Sequence, residues 1–191
     1  MITRLILSIG LTLVVCSPAI ARVFQDREHL TPQEIELVKD AQLLDKRIDV
    51  FIKAADRRMQ ALHLSTADQS ASKKQKKDAE LWGELPTGSR TELVTDIARI
   101  LDEAITNIDD VSLRDEKNPL IPKALRNLAT AATRIMTQLK PLQAQANSPA
   151  EIGSFDQLTE NAESIVQAAS KLPPEVAKKG KAKGEKPAEK N

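Results

Sequence analysis

Apolar side chains recur along this chain at spacings of three and four, the rhythm that keeps one helix face turned toward a partner. The first stripe runs Leu37, Ala41, Leu44, Ile48, Phe51, Ala55, Met59 and Leu62, with Val38 and Ile52 widening it. It opens on Leu30-Thr31-Pro32-Gln33-Glu34, where Thr31 can cap the helix, Pro32 fits the first turn and Glu34 can close a capping box. The spacing predicts a single first helix over 32–64, ~50 Å long. Such a helix would overhang the bundle, bend, or pair with another molecule.

A second stripe follows the capping box at Ser89-Arg90-Thr91-Glu92 and carries Val94, Ile97, Leu101, Ala104, Ile108 and Val111. The third follows Asn118-Pro119 with Ile121, Leu125, Leu128, Ala132, Ile135, Leu139 and Leu142, and Pro141 should kink or end it near Leu139. The fourth follows Gly153, with Ser154 and Gln157 as a weaker capping box. It runs Leu158, Ala162, Ile165, Ala169 and Leu172 before Pro173-Pro174. No segment alternates in the manner of a strand. The expected fold is therefore all-α: an up-down-up-down four-helix bundle with helices near 32–64, 90–111, 119–140 and 155–172. Residues 65–88 form the one long connection, in which 78–85, with Trp82, could form a short helix before Pro86-Thr87-Gly88, and 173–191 form a disordered lysine-rich tail.

The chain starts Met-Ile-Thr-Arg, continues with an apolar run from Leu5 to Val15 and ends that segment in Ser17-Pro18-Ala19-Ile20-Ala21. This is the order of a secretory signal peptide, 1–21, cut after Ala21, and its apolar run is shorter than the ~20 residues of a spanning helix. The product is expected in the periplasm or outside the cell. Lipid attachment at Cys16 is the alternative, although Val15 stands where such sites favour a small residue.

Cleavage at that point leaves 22–191, a length suited to one domain, 22–172, plus its tail. It also removes the only cysteine, and with it any disulfide or thiolate chemistry. Arg4 is the sole charge of the leader, so the remainder is formally neutral, against +1 for the whole chain. Lysine exceeds glutamate in 173–191, which makes the body mildly acidic. That distribution is not the footprint of a nucleic-acid binder.

Candidate chemistry is sparse. Of the two histidines, His29 precedes the first cap as a surface residue, whereas His63 follows Met59 along the stripe and Met136 stands on a facing helix. A histidine and a methionine from opposed helices can ligate haem, but the Cys-x-x-Cys-His attachment motif is absent and methionine at helical spacing is core filler. Neither histidine has the glutamate three residues ahead that bridged-metal bundles use. Asp102, Glu103, Asp109, Asp110, Asp115 and Glu116 lack the spacing and glycine of an EF-hand and read as a solvated face. Arg99 with Glu103, and Asp49 with Lys53, have the spacing of helix-surface ion pairs. No nucleophile elbow or phosphate-cradling glycine loop appears. The sequence implies no catalytic residue and no cofactor.

Two lysine runs remain: Lys73, Lys74, Lys76 and Lys77 in the long connection, and Lys178, Lys179, Lys181 and Lys183 in the tail. They are candidates for contact with an anionic surface, in segments too polar to pack. Without interleaved aromatics they offer no base-stacking platform. Leu30-Thr31-Pro32-Gln33 resembles the Leu-Thr-x-x-Gln motif of small periplasmic helical chaperones, with its glutamine one position early. The match covers four residues that helix capping already explains, and it defines no family. The expected function is non-enzymatic binding or scaffolding in the cell envelope, with an unidentified protein or envelope component and with self-association as a route. A ligand- or metal-binding bundle and a hydrolase are the other classes.

Overall fold

The structure, a computed structural model, describes residues 28–64 and 80–174, the side chains at 63 and 64 excepted. The expected leader and both lysine runs lie outside these residues. Among the described residues there is no strand, and five helices are described in full: α1 Pro32–Asp40, α2 Leu44–Leu64, α3 Arg90–Arg114, α4 Ile121–Gln143 and α5 Pro149–Ser170, with 80–82 also helical. The described part is all-helical, and its helices pack against one another around one apolar interior.

Local chemistry sets most helix starts. Thr31 Oγ1 accepts from Glu34 N and Glu34 Oε2 from Thr31 N, at 3.3 and 2.9 Å. The same reciprocal box joins Ser89 and Glu92 at the start of α3. α5 departs from expectation, because its cap is Ser148, which accepts from Glu151 N at 3.2 Å. Ser154 lies inside the helix, buried, its hydroxyl satisfied by Ala150 O and by Thr95 of α3. Gly153 therefore starts nothing. Pro141 does not end α4 at Leu139 either. The helix runs on to Gln143, because a proline so near the C-terminus deprives only the carbonyl of exposed Thr137 of a partner.

The expected single first helix is two helices. Chain 41–43 breaks it, with Ala41 at ψ 86°, and α1 folds back along α2. In a continuous helix Glu34 and Arg58 would stand roughly 35 Å apart. Here Glu34 Oε1 accepts from Arg58 Nη1 at 2.6 Å. Carbonyls freed at the elbow are taken by side chains: Gln42 Nε2 donates to Lys39 O at 3.0 Å and Arg47 Nε to Ala41 O at 3.1 Å.

Among the described helices, α1 packs on α2 alone. α2 also meets α3 and α4, α5 meets α3 and α4, and α3 meets α4. Among the described residues α2 and α5 do not pack together, so α3 and α4 occupy the middle. Asp45 meets Lys123 and Asp56 meets Arg134, which sets α2 and α4 running in the same sense. Thr95 meets Ser154, and Asn161 Nδ2 donates to Ala98 O at 2.9 Å, which does the same for α3 and α5.

Position in the packing explains the width of each buried face. α3 buries Leu93, Ala98 and Ile100 beside its 3-4 stripe, and α4 buries Ala124, Ala129 and Ala131 beside its own, because each has helices on more than one side. α5 buries a narrow row of Phe155, Leu158, Ala162 and Ile165. Within the first stripe, Leu44 to Leu62 is core, but Leu37 and Ala41 are only half-buried because the elbow turns them aside.

That contrast is measurable. Ile48→Ala, at a fully buried site, is expected to cost about 3 kcal/mol and Leu37→Ala about 1 kcal/mol in denaturant unfolding. Equal costs would contradict the elbow.

Candidate functional site

Two features of the described residues gather polar chemistry: a buried ionic clasp and an open acidic face. The clasp starts from adjacent arginines on α2. Arg58 continues the spacing of Ala55 and Leu62, which points a cation into the interior. Its side chain is 1% exposed and that of Glu34 is 0% exposed. Glu34 Oε1 accepts from Arg58 Nη1 and, at 3.1 Å, from Arg57 Nε. Main-chain carbonyls take most of the remaining donors: Arg58 donates to Ala54 O and His29 O at 3.0 and 2.6 Å, and only its buried Nε is left without a partner among the described residues. Arg57 donates to Gly83 O at 3.2 Å and to Glu84 O.

The clasp thus fastens 29–34, α2 and 83–84. Trp82 stacks on it, with Arg57 Cζ 5.8 Å from the ring centroid. Gly83 adopts φ +70°, and a Cβ there would approach the Gln33 side chain to 3.0 Å. Glycine takes this left-handed turn without strain, and with a Cβ here the flexible Gln33 side chain would have to give way. The sequence pattern assigned Glu34 to the cap alone. The signal it passed over was an arginine at a core spacing, which requires a carboxylate nearby.

Outer ion pairs surround this centre. His29, expected at the surface, is half-buried, with Nε2 2.7 Å from Glu103 Oε2 of α3. Asp49 lies 3.3 Å from Lys46. Arg90 Nε approaches Glu151 Oε1 to 3.1 Å and ties the starts of α3 and α5. Asp45 Oδ2 accepts from Lys123 Nζ at 2.6 Å. That hydrogen bond, then the lysine's charge, holds the Asp45 carboxyl below the usual aspartate value against the opposing effect of burial. The same bond and the aspartate's charge raise Lys123 above the usual lysine value.

The acidic face lies on the solvent side of α5. Asp156, Thr159, Glu160, Glu163, Ser164 and Gln167, with Gln143 from the end of α4, line an open groove of about 650 Å³. Its acids and amides can receive donors and cations from a broad partner, but nothing in it encloses a small molecule. Ile152 and Val166 are exposed on the same helix.

The other sequence candidates are dispersed. Met136 packs partly buried against the core, and the side chain of His63 lies outside the described part. Asp102, Asp109, Asp110, Asp115 and Glu116 are exposed. Among the described residues no three histidine, cysteine, aspartate or glutamate side chains gather as metal ligands. Lys73, Lys74, Lys76, Lys77, Lys178, Lys179, Lys181 and Lys183 all fall outside the described residues. No described helix is long and apolar enough to cross a membrane. The chain matches no family model, no curated protein and no solved structure.

Glu34→Gln keeps the shape but strips the charge facing two buried guanidiniums, and should destabilise by about 3–5 kcal/mol. A urea titration giving a change under roughly 1 kcal/mol would place the clasp in water. For the outer pair, Lys123→Met is expected to be less stable than the parent at pH 7. A depressed aspartate contributes stability present above its unfolded value, near pH 4, and lost as pH falls through the lower folded value. A raised lysine contributes below its unfolded value, near pH 10.4, and loses it as pH climbs through the folded one. The stability gap should therefore close at both extremes, and a gap constant with pH would exclude the pair as its cause.

Proposed function

We propose that this chain is an exported, non-enzymatic helical protein that acts by binding or scaffolding at an anionic surface of the cell envelope. Its body is read as a four-helix bundle of alternating sense, α2 to α5, with α1 laid along it. Removal of 1–21 would leave Arg22 first in a periplasmic or extracellular product, and retention through Cys16 is the alternative. The contact residues are Lys73, Lys74, Lys76, Lys77, Lys178, Lys179, Lys181 and Lys183.

One observation carries this reading, the segregation of charge. The solvent face of α5 presents Asp156, Glu160 and Glu163 in the open, whereas lysines concentrate in two short runs. An anionic surface repels the first and attracts the second, so the molecule meets it in a preferred orientation. Such attraction is worth about 1 kcal/mol per lysine near the surface and acts within a Debye length, ~10 Å at 0.1 M salt.

Sedimentation with vesicles tests it. The processed chain should co-sediment with vesicles rich in phosphatidylglycerol at low salt, release as salt rises, and ignore phosphatidylcholine. Replacing either set of four lysines by glutamine should weaken binding by roughly 100-fold or more. Equal binding to both lipids, or full binding by the glutamine variants, would reject the proposal. Mass spectrometry of the native N-terminus reads the export step separately.

A further inference from the structure

The elbow between α1 and α2 is built from residues that favour the opposite conformation. Ala41, Gln42 and Leu43 are strong helix formers, with no glycine or proline among them. The apolar rhythm also runs through them without a change of phase. The bend is held instead by side chains: Gln42 and Arg47 on freed carbonyls, and the clasp on Glu34. Among the described helices α1 packs only on α2, with partly buried Ile35 and Val38 against the core beside the buried Glu34, and just ahead of it His29 reaches Glu103 of α3. Leu43 stands exposed at the elbow.

We propose that residues 28–40 are an exchangeable arm, and that two copies of this chain dimerise by straightening 41–43 and docking each arm on the other's α2. Both halves of the clasp are present in every copy. Glu34 of one molecule can therefore meet Arg57 and Arg58 of the other with the contacts it makes at home. The closed and exchanged forms share their arm contacts and differ mainly at the hinge. Exchange gains the helical hydrogen bonds missing at 41–43, and it forfeits the entropy of association. Concentration decides between them. The buried charges keep the register, since an arm docked one turn out of place strands Glu34 and both arginines without partners. The inference is independent of the anionic-surface proposal, because it needs neither lysine run.

Light scattering after size separation, across a range of protein concentrations and without lipid, tests it. The parent chain should shift from monomer to dimer as concentration rises. Gln42→Pro keeps Ala41 out of the helical region and obstructs a straight helix, so it should weaken the dimer by at least about 100-fold, as about 3 kcal/mol implies. A trans-pairing test adds direct evidence. Glu34→Lys in one copy, and Arg57→Glu with Arg58→Glu in another, each place like charges together in a closed monomer. Mixed, the two pair opposite charges only by exchanging arms, and should form a one-to-one dimer that neither forms alone. A parent that stays monomeric at every concentration, or Gln42→Pro dimerising as strongly as the parent, overturns the proposal.

Discussion

One carboxylate buried between two guanidiniums fixes how the first third of the described chain is arranged. Taking Glu34, Arg57 and Arg58 out of water costs several kcal/mol per ion, and the loss is offset only when every partner arrives with good geometry. Those partners come from separate places: Glu34 from α1, carbonyls from His29 and Ala54, and Gly83 and Glu84 from the connection. A half-assembled cluster is worse than none. The elbow, the arm and the turn at Gly83 therefore form together. Contacts of Leu30, Ile35 and Val38 are non-directional and tolerate sliding, whereas the ions admit one register.

The remaining architecture follows from how many sides each helix has to cover. α3 and α4 stand in the middle, and their buried arcs are wider than a coiled-coil seam. α5 stands outside and buries a narrow row, and the face left over carries its acids. Small residues allow α3 and α5 to come close enough for Asn161 to reach a helical carbonyl at Ala98.

Much of this was legible in the sequence. Stripes on α3, α4 and α5 map onto the interior almost residue by residue, because packing on a shared core is what a 3-4 rhythm encodes. The elbow was not legible, since periodicity senses only which face is apolar and Ala41-Gln42-Leu43 preserves the phase. What bends the chain is a charge partner more than twenty positions away in sequence. Arg58 at a core spacing was the available hint. At α5 the Gly153-Ser154 pair resembled a helix start, yet Ser148 with Pro149 competed and won. On the functional side, the lysine runs could be named from sequence. The acidic groove could not, because it joins Gln143 of α4 to a face of α5 that only the packing brings alongside.

Trp82 is the only tryptophan, and the chain has no tyrosine. Its ring lies against Arg57 beside the buried carboxylate. Nature has thus placed a single intrinsic fluorophore at the joint where the arm meets the body. Emission from the unlabelled protein reports on that joint and on no other, so docking and release of the arm can be followed in real time without attaching a dye.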